Sequence, residues 1–308
     1  KQAPGAVVMV RPHHFVTNPQ TETDNAFQQA PSAPDLVAKL AYEQVTQAAE
    51  LLREKGIDVL LFEDESTKTP DSVFPNNWFS THSGGHVAIY PMFAENRRLE
   101  RREDVLFRLE DEGFLINHIM DYRTAEDEGL FLEGTGALLL DRVNRKAYCA
   151  LSNRADEELF IEFCEDFEYT PVVFTANQTV NGERKAIYHT NVMMCLAETF
   201  AVICLASIDD KKERKNVVKN LKDDGKEVID ITEAQVNNFA GNMLQVRGTN
   251  DERFLVMSQA AYDCLTTDQI NKIEKHCKII SSSLDVIEGC GGGSARCMMA
   301  EVFLPRRS

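Results

Sequence analysis

The sequence predicts an α/β protein built from five or so copies of one module, a strand pair followed by a helix, closed into a ring. Three observations predict it. Apolar runs recur at 6–10, 78–90, 137–151, 186–205 and 243–257, with a last piece at 296–304. Polar turns divide several of these runs into two short strands. Amphipathic helical stretches lie between the runs, so that the unit returns about every 50–60 residues. A doubly wound sheet is the competing arrangement, but no G-x-G-x-x-G opens a helix after a strand. No Pro-, Ser- or Gly-rich linker divides the chain, so residues 1–308 read as a single domain.

The elements follow in order. AVVMV at 6–10 is a buried strand. Leu36, Val37, Leu40, Ala41, Val45, Ala48, Leu51 and Leu52 share one face of a helix that Gly56 stops. Leu99, Leu106 and Leu109 mark a second helix ending at Gly113. In GALLLDRVNRKAYCAL, the polar turn at 141–146 separates two strands. MLQVRGTNDERFLVM repeats that design around Gly248, Thr249, Asn250 and Asp251. Three further helices are expected near 156–167, 210–223 and 267–277.

Composition narrows the function. The chain carries 33 Lys and Arg against 49 Asp and Glu, a formal charge of -16. Such a field repels phosphate backbones and argues against nucleic-acid partners. Eight cysteines without any C-x-x-C suit neither a disulfide scaffold nor structural zinc. The most apolar window, 192–206, is too short to span a bilayer and contains Glu198. No signal-peptide pattern is visible, and the expectation is a cytoplasmic protein without a membrane partner.

The most unusual segment is GCGGGSARC, at 289–297. Four glycines in five residues demand unusual backbone angles or close approach to a ligand. A cysteine after such a loop, just before an apolar run, can be a reactive thiolate or a plain core residue. Cys297 is the candidate nucleophile and Cys290, inside the loop, its rival. Arg296 is adjacent, although in an extended segment its side chain points to the opposite face. A nucleophilic cysteine needs an acid/base partner. His189, in YHTN before the apolar VMMCLA, is the candidate, while His118 and His276 lie in polar stretches. His13, His14, His82 and His86 match no helix-based metal motif and read as polar or loop residues. Glu133 in EGTG can face a ligand or orient a histidine. DSVFPNNWF adds Asp71, two asparagines and the only Trp around a proline. Asn18 to Asn25, following a strand, suit a lid over a substrate. Arg97 and Arg98 are expected on a solvated helix start.

Together and in this chain order, these motifs resemble the guanidino-group-modifying (pentein) superfamily of arginine deiminases, dimethylarginine dimethylaminohydrolases and amidinotransferases. RKAYCALSNRAD resembles its LS-x-R strand end, EGTG its acidic glycine turn, YHTN its H-x-D, and GGGSARC its nucleophile loop. The opening RPHHFVTNPQTETDNAFQ is similar to citrulline-utilisation hydrolases. The resemblance implies a five-bladed α/β propeller. It implies Cys297 as nucleophile, His189 as general acid/base, and Glu133 as the partner that orients His189. Arg154 would clamp the substrate's α-carboxylate, and Asp71 would bind its nitrogens. Asn77 stands where relatives carry an Asp that grips the guanidinium, and Asn191 replaces the Asp of H-x-D. An amide offers both a donor and an acceptor, which suits a neutral ureido group better than a cationic guanidinium. The expectation is therefore hydrolysis of citrulline to ornithine, ammonia and carbon dioxide, through a covalent cysteine intermediate and without metal or organic cofactor. Arginine deimination, dimethylarginine hydrolysis and amidino transfer are the alternatives within the superfamily. A non-catalytic binding protein on the same fold is the alternative of another class. A homo-oligomer is compatible with all of these.

Overall fold

The computed structural model describes residues 1–28 and 33–307. Ala6–Pro12 forms β1, Pro34–Glu54 helix α1 and Asp58–Asp64 β2. Phe79–His82 (β3), His86–Ile89 (β4), Glu103–Asp111 (α2) and His118–Asp121 (β5) follow. The third module begins with a single helical turn, Gly134–Ala137 (α3). Leu138–Asp141 (β6), Lys146–Ala150 (β7), Glu157–Asp166 (α4) and Thr170–Phe174 (β8) complete it. A hairpin of Asn177–Val180 (β9) and Glu183–Ala186 (β10) stands outside the repeat. Next come Thr190–Met193 (α5), Met194–Leu196 (β11), Phe200–Ile203 (β12), Lys211–Asp223 (α6) and Glu227–Asp230 (β13). After Glu233–Val236 (α7), the last full module holds Leu244–Arg247 (β14) and Arg253–Ser258 (β15). It continues through Gln259–Cys264 (α8), Thr267–Glu274 (α9) and Lys278–Ser282 (β16). Asp285–Gly291 (α10) and Ala300–Glu301 (β17) close the chain.

Among the described residues the strands form five three-stranded sheets of one design: β17-β1-β2, β3-β4-β5, β6-β7-β8, β11-β12-β13 and β14-β15-β16. In each, the first pair is antiparallel and the second parallel. The parallel partners are separated in sequence by a crossover helix, as parallel strands require. The first sheet joins both ends of the chain, because β17 pairs with β1. The central strand β12 is apolar and buried at every position.

The core lies between neighbouring sheets. Val8, Val10 and Phe62 of the first sheet pack with Phe79 and Val87 of the second. Ala88 and Tyr90 pack with Leu138, Leu140 and Phe160 of the third module. Tyr148 and Phe174 share a cluster with Phe200 and Val202 of the fourth and Leu255 and Met257 of the fifth. Val246, Phe254 and Val256 of the fifth pack with Val7, Met9 and Val59 of the first.

Helix signals in the sequence hold at α1, α4, α6 and α9. Asp156 caps α4, Asp210 caps α6, and Thr266 with Gln269 forms a capping box on α9. The second helix begins later than Leu99 suggested. Leu99 sits in a separate 3-10 segment, Glu95–Glu100, and is 58% exposed, because Arg101 and Arg102 are extended and break the helical path. The apolar stretch after His189 also differs, since α5 precedes a strand of only three residues. No helix among the described residues is long and apolar enough to cross a membrane.

Candidate active site

Asn77, Glu133, His189, Asn191 and Cys297 lie in turns just before the first strand of a sheet in different modules, whereas Asp71 precedes such a turn and Arg154 follows β7. Asn76 and Asn77 lie in a 3-10 turn, Pro75–Asn77, before β3. Glu133 precedes α3 and β6, and His189 and Asn191 precede β11. Cys297 precedes β17. Each is at least 97% buried.

Cys297 is carried by the glycine loop predicted for it. A Cβ at Gly293 would lie 2.9 Å from the Phe74 ring and 3.3 Å from the Cys297 Cβ, so only glycine lets the loop pack against both. Asn191 Nδ2 lies 3.5 Å and Asn242 Nδ2 3.2 Å from Cys297 Sγ. Arg296 turns away, donating to the Met299 carbonyl at 2.9 Å and to Glu301 at 2.6 Å, as its place on the opposite face implies. Cys290 lies in α10, where burial raises its thiol pKa against a hydrogen bond with Thr17.

His189 Nε2 is 3.3 Å from Glu133 Oε2. Burial works to raise the Glu133 carboxyl, but Arg154, His189 and Arg97 outweigh it and hold the group at about 2. An ionised Glu133 must receive a hydrogen from Nε2, so a neutral imidazole keeps Nδ1 bare and available as a base. Burial lowers the His189 pKa, with Glu133 opposing and Arg154 and Arg97 assisting, which favours that neutral form. Gly136 is required beside it. A Cβ there would fall 2.9 Å from His189 Nδ1 and 2.3 Å from Asn77 Nδ2.

Arg97 corrects an expectation. Instead of lying on a solvated helix start it is 2% exposed, at the hub of the site. It donates to both oxygens of Glu100 at 3.0 Å and to Asn77 Oδ1 at 2.9 Å. It stands 3.8 Å from Asp71 and 3.9 Å from Glu133. These buried carboxylates draw it in, since a guanidinium without partners would not leave water. Burial raises the Glu100 carboxyl against the pull of Arg97, with Asp71 and Glu133 adding repulsion. Arg98 is half-buried and binds the Met92 carbonyl and Glu126, on the far side of the segment from Arg97.

Arg154 is buried, with its face over the Tyr188 ring at 4.7 Å and one nitrogen 3.9 Å from Glu133. Its fork is filled by the Asp24 carboxylate, with Nε 2.8 Å from Oδ2 and Nη2 on Oδ1. Asp24 belongs to the segment proposed as a lid. That segment is fastened at Asp71 by Asn18 (2.8 Å) and Thr21 (3.3 Å), and at the Gly291 carbonyl by Asn25. The sequence reading missed Asp24, Asn76, Glu100 and Asn242.

Asn77 orients its neighbour. Arg97 can only donate, so Asn77 Oδ1 faces it and Asn77 Nδ2 donates to Asn76 Oδ1 at 3.0 Å. Asn76 Nδ2 is left with no hydrogen bond, as are Asp71 Oδ1 and Glu133 Oε1. Two acceptors and one donor are therefore buried and unsatisfied in this cluster. Such groups cost roughly 1–3 kcal/mol each unless a ligand meets them.

The remaining histidines stand apart. His82, expected in a loop, is instead buried in β3, because it bonds Ser80 at 2.7 Å and packs on Phe167. His13 pairs with Glu63, while His14 is exposed. Among the described residues, no group of three or more His, Cys, Asp or Glu could hold a metal ion.

The family model described as "N,N dimethylarginine dimethylhydrolase, eukaryotic" matches residues 11–304. Among solved structures, the chain superposes on ArgZ, an arginine dihydrolase from the ornithine-ammonia cycle in cyanobacteria, with a TM-score of 0.72 at 18% identity. That match covers 98% of this chain and 41% of ArgZ. The ArgZ N-terminal domain bound to product gives 0.72 and covers 99% of both chains. A dimethylarginine dimethylaminohydrolase adduct with S-methyl-L-thiocitrulline gives 0.65 at 14% identity, covering 96% of this chain and 99% of that one. At these identities the structural likeness is one of fold, and the chain spans about two fifths of full-length ArgZ. No curated protein matches the sequence. Fold and motifs place the protein in the guanidino-group-modifying superfamily, whose hydrolases act on C–N bonds other than peptide bonds. Within it, the chain belongs to the N,N-dimethylarginine dimethylhydrolase family.

Proposed function

We propose that the protein is a cysteine-dependent hydrolase of citrulline, releasing ornithine, ammonia and carbon dioxide. The observation that carries the ureido preference is the pair Asn76–Asn77. Locked by Arg97, it leaves a buried N–H donor without an acceptor, beside the unsatisfied carboxylate oxygens of Asp71 and Glu133. A ureido group offers both the carbonyl that Asn76 lacks and the N–H groups that Asp71 lacks. A guanidinium offers only donors.

In this reading, Cys297 Sγ attacks the ureido carbon. His189 Nδ1 takes up the thiol proton and delivers it to the departing ornithine amine as its C–N bond breaks, leaving a carbamoyl-cysteine. Water, deprotonated by His189, attacks the thiocarbamate carbon and breaks its C–S bond, freeing Cys297 and carbamate, which decomposes to ammonia and carbon dioxide. Glu133 keeps the imidazole oriented and stabilises it when protonated. Arg154 binds the α-carboxylate, and the Asp24 carboxylate now in its fork displays the bidentate geometry such a substrate would take. No metal or organic cofactor is needed for these steps. The sealed site must open at Asn18 to Asn25 for substrate to enter.

A second reading is favoured by charge. Asp24, Asp71 and Glu133 face Arg97 and Arg154, while burial raises Glu100 to about 8, so the cluster carries one carboxyl group more than its arginines, which suits a guanidinium. ArgZ acts on arginine, and the family model names dimethylarginine. Ammonia and ornithine release across citrulline, arginine, agmatine and methylated arginines decides between them. Release from citrulline supports the ureido reading; strong release from arginine with none from citrulline overturns it. Adding glycine as acceptor tests for amidino transfer.

The same reading includes a single cytoplasmic domain folded as a closed five-bladed propeller. Its support is the order of shared cores, which runs from the first sheet through the fifth and back to the first. Contacts of β17 with β3, β6 with β11 and β11 with β14 also place first strands side by side.

A further inference from the structure

Four sheets send a turn bearing Asn77, Glu133, His189 or Cys297 into the site; the fifth sends Asn242, two residues before β14. We propose that Asn242 is a catalytic residue that, with Asn191, holds the sulfur of Cys297 as a thiolate. The inference rests on Cys297 being the nucleophile.

The orientation of the Asn242 amide is set by its neighbours. Its Oδ1 accepts from the backbone N–H of Arg296 at 3.1 Å and of Cys297 at 3.4 Å, which requires the oxygen on that side. Its Nδ2 must then face the other way, where it donates to the Asn191 carbonyl at 2.9 Å and toward Cys297 Sγ at 3.2 Å. Asn242 thus grips the nucleophile by backbone and sulfur together. The turn that carries it is pressed onto α5, since a Cβ at Gly241 would lie 2.3 Å from the Val192 carbonyl. Asn191 Nδ2 supplies a second N–H toward the same sulfur, at 3.5 Å. The thiol can donate to Asn191 Oδ1 at 3.8 Å, but the two N–H groups meet the sulfur more closely, at 3.2 and 3.5 Å, and donors on a sulfur favour its anion. A carboxylate in either place would oppose it. This explains why amides suit these positions whatever the substrate's charge.

The test is the pH dependence of Cys297 alkylation by iodoacetamide, followed on the Cys297 peptide by mass spectrometry. Asn242→Asp keeps the two backbone contacts but sets a negative oxygen against the sulfur. Its alkylation midpoint should rise by about one pH unit or more. Asn242→Ala should move it upward by less, and Asn242→Ser, whose hydroxyl can donate, should fall between Ala and the parent. Turnover should fall in kcat rather than through KM. Midpoints equal to the parent's in the variants that fold, judged by circular dichroism, would overturn the proposal, and the Ala and Ser variants decide it if Asp does not fold. Full turnover by Cys297→Ala would sink the hydrolase reading instead, while the midpoint shift would still report on the Asn242–sulfur contact.

Discussion

Glu133 is wholly buried, yet two guanidinium groups and an imidazole keep it ionised. Its folded pKa of about 2 lies below the ordinary 4.5, so it contributes stability above pH 4.5 that is lost as pH falls from there toward 2. The shift corresponds to roughly 3 kcal/mol. Glu133→Gln should therefore unfold more easily than the parent at pH 7 in urea titrations, and the gap should close as pH drops below 4.5. A gap independent of pH would mean that the charge contributes nothing. In the proposed mechanism, Cys297→Ala and His189→Ala should each lower turnover by roughly a thousandfold or more while leaving circular dichroism unchanged. Cys297, His189 and Glu133 were legible because each stands beside glycines or at the edge of an apolar run. Arg97 was not. ENRRLE reads as a solvated stretch, and its burial depends on Asp71 and Glu133, which are remote in sequence. Asn242 was equally silent, because GNM before a strand resembles any turn until the five modules are superposed.

At the scale of elements, the turns that precede first strands do the positioning, and the segment from Asn18 to Asn25 covers them. EGTG reads as a plain turn and VMMCLA as a strand, yet each holds part of a single helical turn, α3 and α5, since neither pattern gives a sign of a helix there. The segment proposed as a lid stands out in the sequence as a polar stretch after a strand, but its partner does not. Asp24 reaches Arg154 across 130 positions of sequence. In the proposed function, a substrate carboxylate must displace Asp24 from the arginine fork. Asp24→Asn removes the competing charge and should lower KM for citrulline by up to roughly tenfold with little change in kcat. A raised KM in steady-state assays would show that Asp24 helps to hold substrate instead.

For the molecule as a whole, the recurring strand pair and helix were legible from periodicity, and the five equivalent sheets agree. The ring closure expected from the repeat belongs to the proposed reading, where it rests on cores shared between sheets distant in sequence. The cluster joining the fifth sheet to the first should therefore be as important as any within a module. Met9→Ala, deep in that cluster, should cost about 2–5 kcal/mol in chemical denaturation. A loss under about 1 kcal/mol would mean that this junction is loosely packed. The net charge of -16 argues against nucleic acid but does not describe the site, where two buried arginines sit among the carboxylates. The central claim is that Cys297 forms a covalent bond to the carbon it attacks. Acid quenching during citrulline turnover, followed by peptide mass spectrometry, tests it most directly. A carbamoyl group on Cys297, with ornithine in solution, is the predicted result. Turnover with no adduct there, or with the adduct on Cys290, would contradict it.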